Sequence, residues 1–346
     1  MINEIGNGET GETLLPFERQ KREIVIKREE DTDDEYGCYP EFRKTETIIN
    51  YGIVNTDKPS GPSSHQVSAY VKEILGIEKA GHCGTLDPKV TGVLPIALGE
   101  ATKANRIMLS AGKEYIAIMH LHKQIDPNIV KDRLSKYVGK IKQIPPLRSA
   151  VKRAEREREI YYIKVLEIED KDVLFKIGVE AGTYIRKFIF DFGRELGIGA
   201  HMSQLRRTKA GLFNEQTMFT LQDLKDAFYY YKHENNDKFL RKIIQPVENA
   251  FLHLPKIWVF DSAVDSICHG ANLNVPGISK LNSGIIKGEI VAIFTLKNEI
   301  VAYGISQLTT EEILSSEKGF AVKTERVFMK PGTYLKYKRE EKKGDA

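Results

Sequence analysis

Cysteine is scarce in this chain. The three that occur, Cys38, Cys83 and Cys268, stand far apart with no CxxC pair among them. That spacing supports neither a disulfide framework nor a zinc site, and reduced cytosol is the natural compartment. No apolar run reaches the roughly 18 residues of a membrane span. The N-terminus, MINEIGNGETGETLLPFERQ, has no basic start followed by an apolar stretch, so a secretory signal is not expected. A strong charge of one sign is missing too: 52 Lys and Arg against 48 Asp and Glu leave a net charge of +4. So small a bias does not by itself indicate nucleic-acid binding, which must rest on where the charges lie.

What is present describes a globular protein: 346 residues, 41% hydrophobic and 29% charged, a length that suggests two domains. Residues 1–46 read as a polar, acidic extension with the blocks Glu29-Glu30-Asp31 and Asp33-Asp34-Glu35, expected to be a solvated arm. From 47 to about 250 strands and helices mix. Ser63 with Gln66 three residues on reads as a capping box for a helix carrying Val67, Tyr70, Val71, Ile74 and Leu75 and stopped by Gly76. Tyr115 to Leu121, Ile160 to Ile168 and Val173 to Val179 read as strands. Asp126-Pro127 opens a second helix, and Thr183 is expected to cap a third, with Ile185, Phe188, Ile189, Phe192 and Leu196 on one face. There is no regular βαβ alternation, which favours an α+β fold on a mixed or antiparallel sheet. Residues 251–335 change texture to short strands and frequent turns, with Lys297-Asn298-Glu299 a hairpin signal and one short helix, Ser262 to His269. They read as a small β-barrel, followed by a charged tail, 336–346.

The chemistry centres on Gly81-His82-Cys83-Gly84-Thr85-Leu86-Asp87-Pro88. Pro88 pushes Asp87 towards an extended backbone, from which a carboxylate can point into a cleft as a nucleophile; a surface Asp-Pro turn is the plainer alternative. In Gly182-Thr183-Tyr184-Ile185-Arg186, Arg186 sits at a helix start. A guanidinium beside a carboxylate lowers its pKa by about 1–3 units and fixes its orientation, though a structural ion pair would look the same. In Lys113-Glu114-Tyr115 the aromatic ring can stack on a base taken out of its helix, or simply fill a core. Two basic segments, one with Arg148, Lys152 and Arg153 and one with Arg206, Arg207 and Lys209, are of the type that binds RNA phosphates without reading sequence. Solvated faces are equally consistent with them.

Taken together, GHCGTLDPKVTGVLPIALGEATK, DKPSGPSSH, KEY, GTYIRKF and HMSQLRRTKAG resemble, in order, the motifs of TruB-type pseudouridine synthases. PPLRSAVKR and ICHGANLNVPGISKLNSGIIKGEIVAIFTLKNEIVAYG resemble the dyskerin-type branch, the catalytic subunit of H/ACA guide-RNA particles with its C-terminal PUA domain. The resemblance spans roughly residues 40–335 and implies a pseudouridine synthase catalytic domain followed by a PUA RNA-binding domain. It implies that Asp87 is the catalytic aspartate and Arg186 its arginine partner, and that Tyr115 stacks on the target base. His82, Tyr184 and Leu205 would line the uracil pocket, and Lys58 would support the cleft. The family uses no metal and no organic cofactor. Its partners are an H/ACA guide RNA, substrate rRNA or tRNA, a small zinc-ribbon-like protein, a small β-barrel protein and a kink-turn-binding ribosomal-type protein. Membranes are not involved, and a cytoplasmic, archaeal-like setting is implied, because the tail after Tyr337 lacks a long lysine-rich extension.

The reaction implied breaks the N-glycosidic bond of a flipped-out uridine, rotates the uracil and rejoins it through carbon. Asp87 would form an adduct with the ring or the ribose, or abstract a proton from the sugar. Two departures from the family stand out: Glu155 and Glu157 interrupt a usually more basic loop, and Lys123-Gln124 replaces a usually acidic stretch. Two other classes compete: a non-catalytic RNA-binding scaffold, which the barrel alone would support, and a zinc protein, which the isolated cysteines disfavour.

Overall fold

A computed structural model describes residues 13–145 and 154–336. Within them the chain forms two compact units, one from the residues up to Gln20 with Gly52–Gln245, the other from Lys21–Tyr51 with the residues from Pro246 on.

The first unit is built on a ten-stranded mixed sheet. Its strands follow the order Ile244–Pro246, Gly52–Lys58, Thr91–Leu98, Ala200–Ala210, Lys113–Leu121, Asp172–Val179, Arg156–Glu169 and Gly139–Gln143, with Ala80–His82 and Phe213–Asn214 attached at the side. The 91–98 and 200–210 strands run parallel. Thr91–Leu98, buried from Gly92 onward, is the near-continuous apolar run of a strand covered on both faces. Lys113–Leu121 instead alternates from Tyr115 on, with Tyr115, Ala117, Met119 and Leu121 buried and Ile116, Ile118 and His120 half-buried. Gly92 pairs with Arg207 at φ +102°, and a Cβ there would lie 2.2 Å from the Arg207 carbonyl oxygen, so only glycine fits.

The expected helix runs from Ser64 to Leu75. Ser63 and Gln66 form the reciprocal capping box, and Gly76 closes the helix in the left-handed conformation. Helix Ile185–Glu195 buries Ile185, Phe188, Ile189 and Phe192, a single 3.6-residue stripe. Its cap corrects the sequence expectation. Tyr184 occupies the N-cap without a side-chain bond, while Thr183 turns its hydroxyl back to the Glu180 carbonyl at 2.8 Å. Two further helices, Leu221–Glu234 and Lys238–Ile243, fill the stretch before residue 245.

The second unit holds a seven-stranded sheet in the order Ile24–Ile26, Ile278–Asn282, Lys256–Val259, Ile290–Thr295, Ile300–Ser306, Phe320–Val327 and Leu273–Asn274. The hairpin at 297–299 forms, with Asn298 at φ 63°. Helix Asp261–Cys268 is joined by a second, Thr310–Ser315, with its own capping box from Thr309 and Glu312. The acidic stretch is not a solvated arm over its described part. Ile24–Ile26 pairs antiparallel with Ile278–Asn282, so its backbone satisfies an open sheet edge. Further on, buried Lys297 donates to the carbonyls of Asp33 (2.7 Å) and Tyr36 (2.5 Å), and Asp261 accepts from the Thr32 hydroxyl and the Asp33 amide. The acidic side chains stay outside while their backbone is held.

A buried ionic cluster completes this unit. Arg43 makes a two-pronged bond to Glu248, at 2.9 and 2.7 Å, and lies 3.6 Å from Glu299. Glu248 also accepts from the Ile300 amide, and Glu299 accepts from the Tyr334 hydroxyl at 2.8 Å. Burial pushes the Glu299 carboxyl above the usual range, and the bonds from Tyr334 and the Cys38 amide work against it.

Candidate active site

Asp87 lies on the loop between the 80–82 and 91–98 strands, and buried cations fix the loop from beneath. Fully buried Lys58 donates to the carbonyls of Pro59 (2.9 Å), Pro88 (2.9 Å) and Val90 (2.8 Å). Burial first, then the nearby Arg207, holds the Lys58 ammonium below its ordinary pKa. Arg207 is 1% exposed and donates to the Val93 carbonyl at 2.7 Å and the Gly84 carbonyl at 3.1 Å. The Ser64 hydroxyl clamps Leu86 twice, accepting from its amide at 2.8 Å and donating to its carbonyl at 3.1 Å. The amides of Gly61 and Val90 take the carbonyls of Pro88 and Asp87. Backbone on both sides of Asp87 is thus anchored, while its side chain remains 52% exposed.

That carboxylate accepts a close hydrogen bond from the Arg186 guanidinium. Arg186 is the second residue of the 185–195 helix, and an amide from another strand sets the start of that helix. The Gln143 side chain accepts from the Tyr184 amide at 3.1 Å and donates to the Tyr184 carbonyl at 3.3 Å. Gln143 is buried and was not singled out in the sequence; nothing in a lone glutamine before Pro145-Pro146 reveals a contact 41 residues away. We expect Gln143→Ala to slow the chemical step about tenfold by loosening Arg186, the equivalent of one oriented hydrogen bond of about 1.4 kcal/mol. Single-turnover rates alongside RNA affinity test this: the rate should fall and the affinity stay.

Strand register sets the other residues around this loop. Tyr115 opposes Arg207 and Ala117 opposes Leu205, so Tyr115, Leu205 and Arg207 share the face on which Arg207 reaches the Gly84 carbonyl. Tyr115 is 9% exposed, while Leu205 and Tyr184 are half-buried. Half-buried His82 packs edge-on against His65 at 4.7 Å between ring centroids. Among the described residues neither of its ring nitrogens has a protein partner, a state that favours a polar ligand or water. Burial, then His65 and Arg207, lowers its pKa, which favours neutral imidazole.

Several expectations need correcting. Arg207 is no phosphate contact; it is buried and spent on two carbonyls. Arg206, on the opposite face, is engaged by Asp57 at 3.1 Å and Glu215 at 2.6 Å, and Lys209 by Glu18 at 3.2 Å. The pattern "RRTK" reads as a basic cluster only while its strand alternation and distant acidic partners are unseen. Lys58 is buried under the loop, bonded to its carbonyls. Arg148, Lys152 and Arg153 lie outside the described residues. Glu155 and Glu157, the departures in that basic segment, pair across the sheet with Lys142 at 3.3 Å and Lys140 at 2.8 Å. Glu114 of the 113–115 motif is buried and accepts from the hydroxyls of Tyr162 (2.5 Å), two strands away, and Thr208 (2.6 Å) on the neighbouring strand, tying Tyr115's strand to both.

Comparison with known proteins finds relatives over most of the chain. The TruB family pseudouridylate synthase N-terminal domain matches residues 72–185, and the tRNA pseudouridylate synthase B C-terminal domain matches 186–252. A PUA domain matches 255–328 and a DKCLD (NUC011) domain 13–68. The chain is 53% identical over 328 residues to a protein of Nanoarchaeum equitans described as "probable tRNA pseudouridine synthase B", covering 95% of this chain and 94% of that one. It is 54% identical over 318 residues to the protein of the same description from Pyrococcus horikoshii, covering 91% and 95%. Among solved structures, a chain of a Cbf5–Nop10–Gar1 complex superposes with a TM-score of 0.90 at 52% identity, covering 94% of this chain and 99% of that one. A chain of an H/ACA ribonucleoprotein bound to a substrate RNA containing 2′-deoxyuridine gives 0.87 at 50% identity, covering 93% and 99%. The chain belongs to the TruB family of pseudouridine synthases, in the branch that carries DKCLD and PUA domains.

Proposed function

We propose that this chain is the catalytic subunit of an H/ACA-type ribonucleoprotein and isomerises guide-selected uridines in rRNA, with the T-loop uridine of tRNA as a second substrate of the same site. The observation that carries the reading is the Asp87–Arg186 bond on a loop anchored from beneath. Asp87 acts as the nucleophile on a uridine flipped out of its strand, and Arg186 orients it. Extruding the base costs a few kcal/mol, which stacking on Tyr115 and apolar contact with Leu205 partly offset, while the free ring nitrogens of His82 are suited to uracil's polar edge. The N1–C1′ bond breaks, the ring turns, and C5 bonds to C1′; the proton lost from C5 is balanced by one gained at N1. No redox change occurs and no external nucleophile is consumed, which suits so sparse a set of chemical groups.

The partners follow from the same reading: a guide RNA that chooses the uridine by pairing, held in part by the PUA domain, and small proteins of the kinds in the solved complexes. The kink-turn-binding protein and the cytoplasmic setting belong to it as well. The test uses the full chain assembled with guide RNA and partner proteins. Changing the guide's pairing bases should move the pseudouridine to the newly matched site in rRNA. If wild-type particles form no pseudouridine at the matched site, the reading fails. Absence of product at the matched rRNA site together with a guide-independent product at a tRNA T-loop would leave tRNA as the only substrate.

A further inference from the structure

At the end of the 113–121 strand three imidazoles gather on one face of the sheet. His120 stands directly opposite His201 on the neighbouring antiparallel strand, and opposite Asp172 on the other side. His122 follows just past the end of the strand, with its ring against that of His201. The Nε2 of His122 lies 3.1 Å from the Nδ1 of His201, and the His201 ring centroid is 5.2 Å from that of His120 and 5.3 Å from that of His122. His120 Nδ1 bonds the Asp172 carboxylate at 2.8 Å, which leaves its Nε2 as the free coordinating atom.

We propose that His122 and His201, with His120 as third ligand, form a binding site for a divalent transition-metal ion of the zinc type. The argument is one of ligand geometry. Two nitrogens each about 2.0–2.1 Å from a tetrahedral ion lie about 3.3 Å apart; His122 Nε2 and His201 Nδ1 are already within a few tenths of an ångström of that separation. His120 near the end of the strand, His122 just past it and His201 across the ladder bring three imidazoles near one another, and a carboxylate tied to the other nitrogen of a ligand histidine is the usual second layer of a histidine–metal site. Asp172 supplies that layer. Among the described residues no group of three His, Cys, Asp or Glu is already placed to hold a metal ion, so the His122–His201 pair is the preformed part, and His120 closes the site by turning together with the exposed Asp172 carboxylate that it bonds. The ring that now donates the His122–His201 hydrogen bond carries its proton on its other nitrogen once the ion binds, so that both facing nitrogens coordinate. The fourth position is left to water. The site lies at the opposite end of the strand from Tyr115, five residues or about 16 Å along it, and it does not depend on the reading of Asp87.

The test is a cobalt(II) titration of the untagged full chain, followed by zinc competition. We expect one equivalent to bind, with visible d–d absorption and no thiolate charge-transfer band. His122→Ala and His201→Ala should each weaken binding at least about tenfold, and Asp172→Asn less, through its second-layer role. His65→Ala, at the other histidine pair, should change nothing. The ion should also raise the melting temperature of the wild type but not of His201→Ala. Absorption bearing a thiolate band, or unchanged affinity in both His122→Ala and His201→Ala, would overturn the proposal, as would wild-type binding only at millimolar cobalt.

Discussion

Asp87→Asn is expected to lower the single-turnover rate of pseudouridine formation by at least about 10⁴-fold, the scale on which removing the reacting group of an enzyme acts. The change is nearly isosteric, and what it removes is the anionic oxygen. Asp87's backbone is held by neighbours that the substitution does not touch: Ser64 on Leu86, and Lys58 and Gly61 on Pro88. Its side chain is half exposed and bonded to an Arg186 that is itself 57% exposed, so the lost pair contributes little to folding. Thermal stability should therefore change by no more than about 0.5 kcal/mol. RNA affinity should change by less than about threefold, since contacts along the RNA backbone supply most of the binding energy. Equal rates for mutant and wild type would leave the chain a scaffold.

The largest effect on folding is expected at Glu248. Its carboxylate takes both prongs of the buried Arg43 guanidinium and the Ile300 amide. Glu248→Ala takes from a buried cation its two-pronged acceptor, leaving Glu299 at 3.6 Å, and strands a buried amide. Breaking a buried pair from one side costs about 3–5 kcal/mol, so a drop in melting temperature of about 10 °C or more is expected. Calorimetry of the two variants separates this account from a simple loss of packing. Glu248→Gln keeps the shape and an acceptor for Ile300 but not the charge, and it should recover less than half of the loss. If Glu248→Ala melted like the wild type, the cluster would contribute nothing.

Most of the local structure was legible because local physics decides it. Ser63, Gln66 and Gly76 specify their helix within a few residues, and Asn298 specifies its hairpin. The acid and its arginine were legible from motif order, although they stand 99 residues apart. What the sequence hid was long-range satisfaction. Arg207 looks like a surface cation until its carbonyl acceptors, up to 123 residues away, are seen. Within the 1–46 extension, residues 21–46 looked solvated because their acidic side chains are; the backbone hydrogen bonds that hold them to strands more than 200 residues later carry no signature in composition. Thr183 has the right chemistry for a cap, but a competing carbonyl at Glu180 captured its hydroxyl and left the helix start to Gln143. The 221–234 helix had its signals in Thr220 and Asp223, a capping box that the reading passed over.

The most direct measurement is a structure of the assembled particle with guide and target RNA, trapped on the Asp87→Asn protein. The account predicts the target uridine out of its stack, its base against Tyr115, and its sugar or ring in contact with residue 87, with Arg186 alongside. A target base still stacked in the RNA, or lodged where the side chain at 87 cannot reach it, would contradict the account.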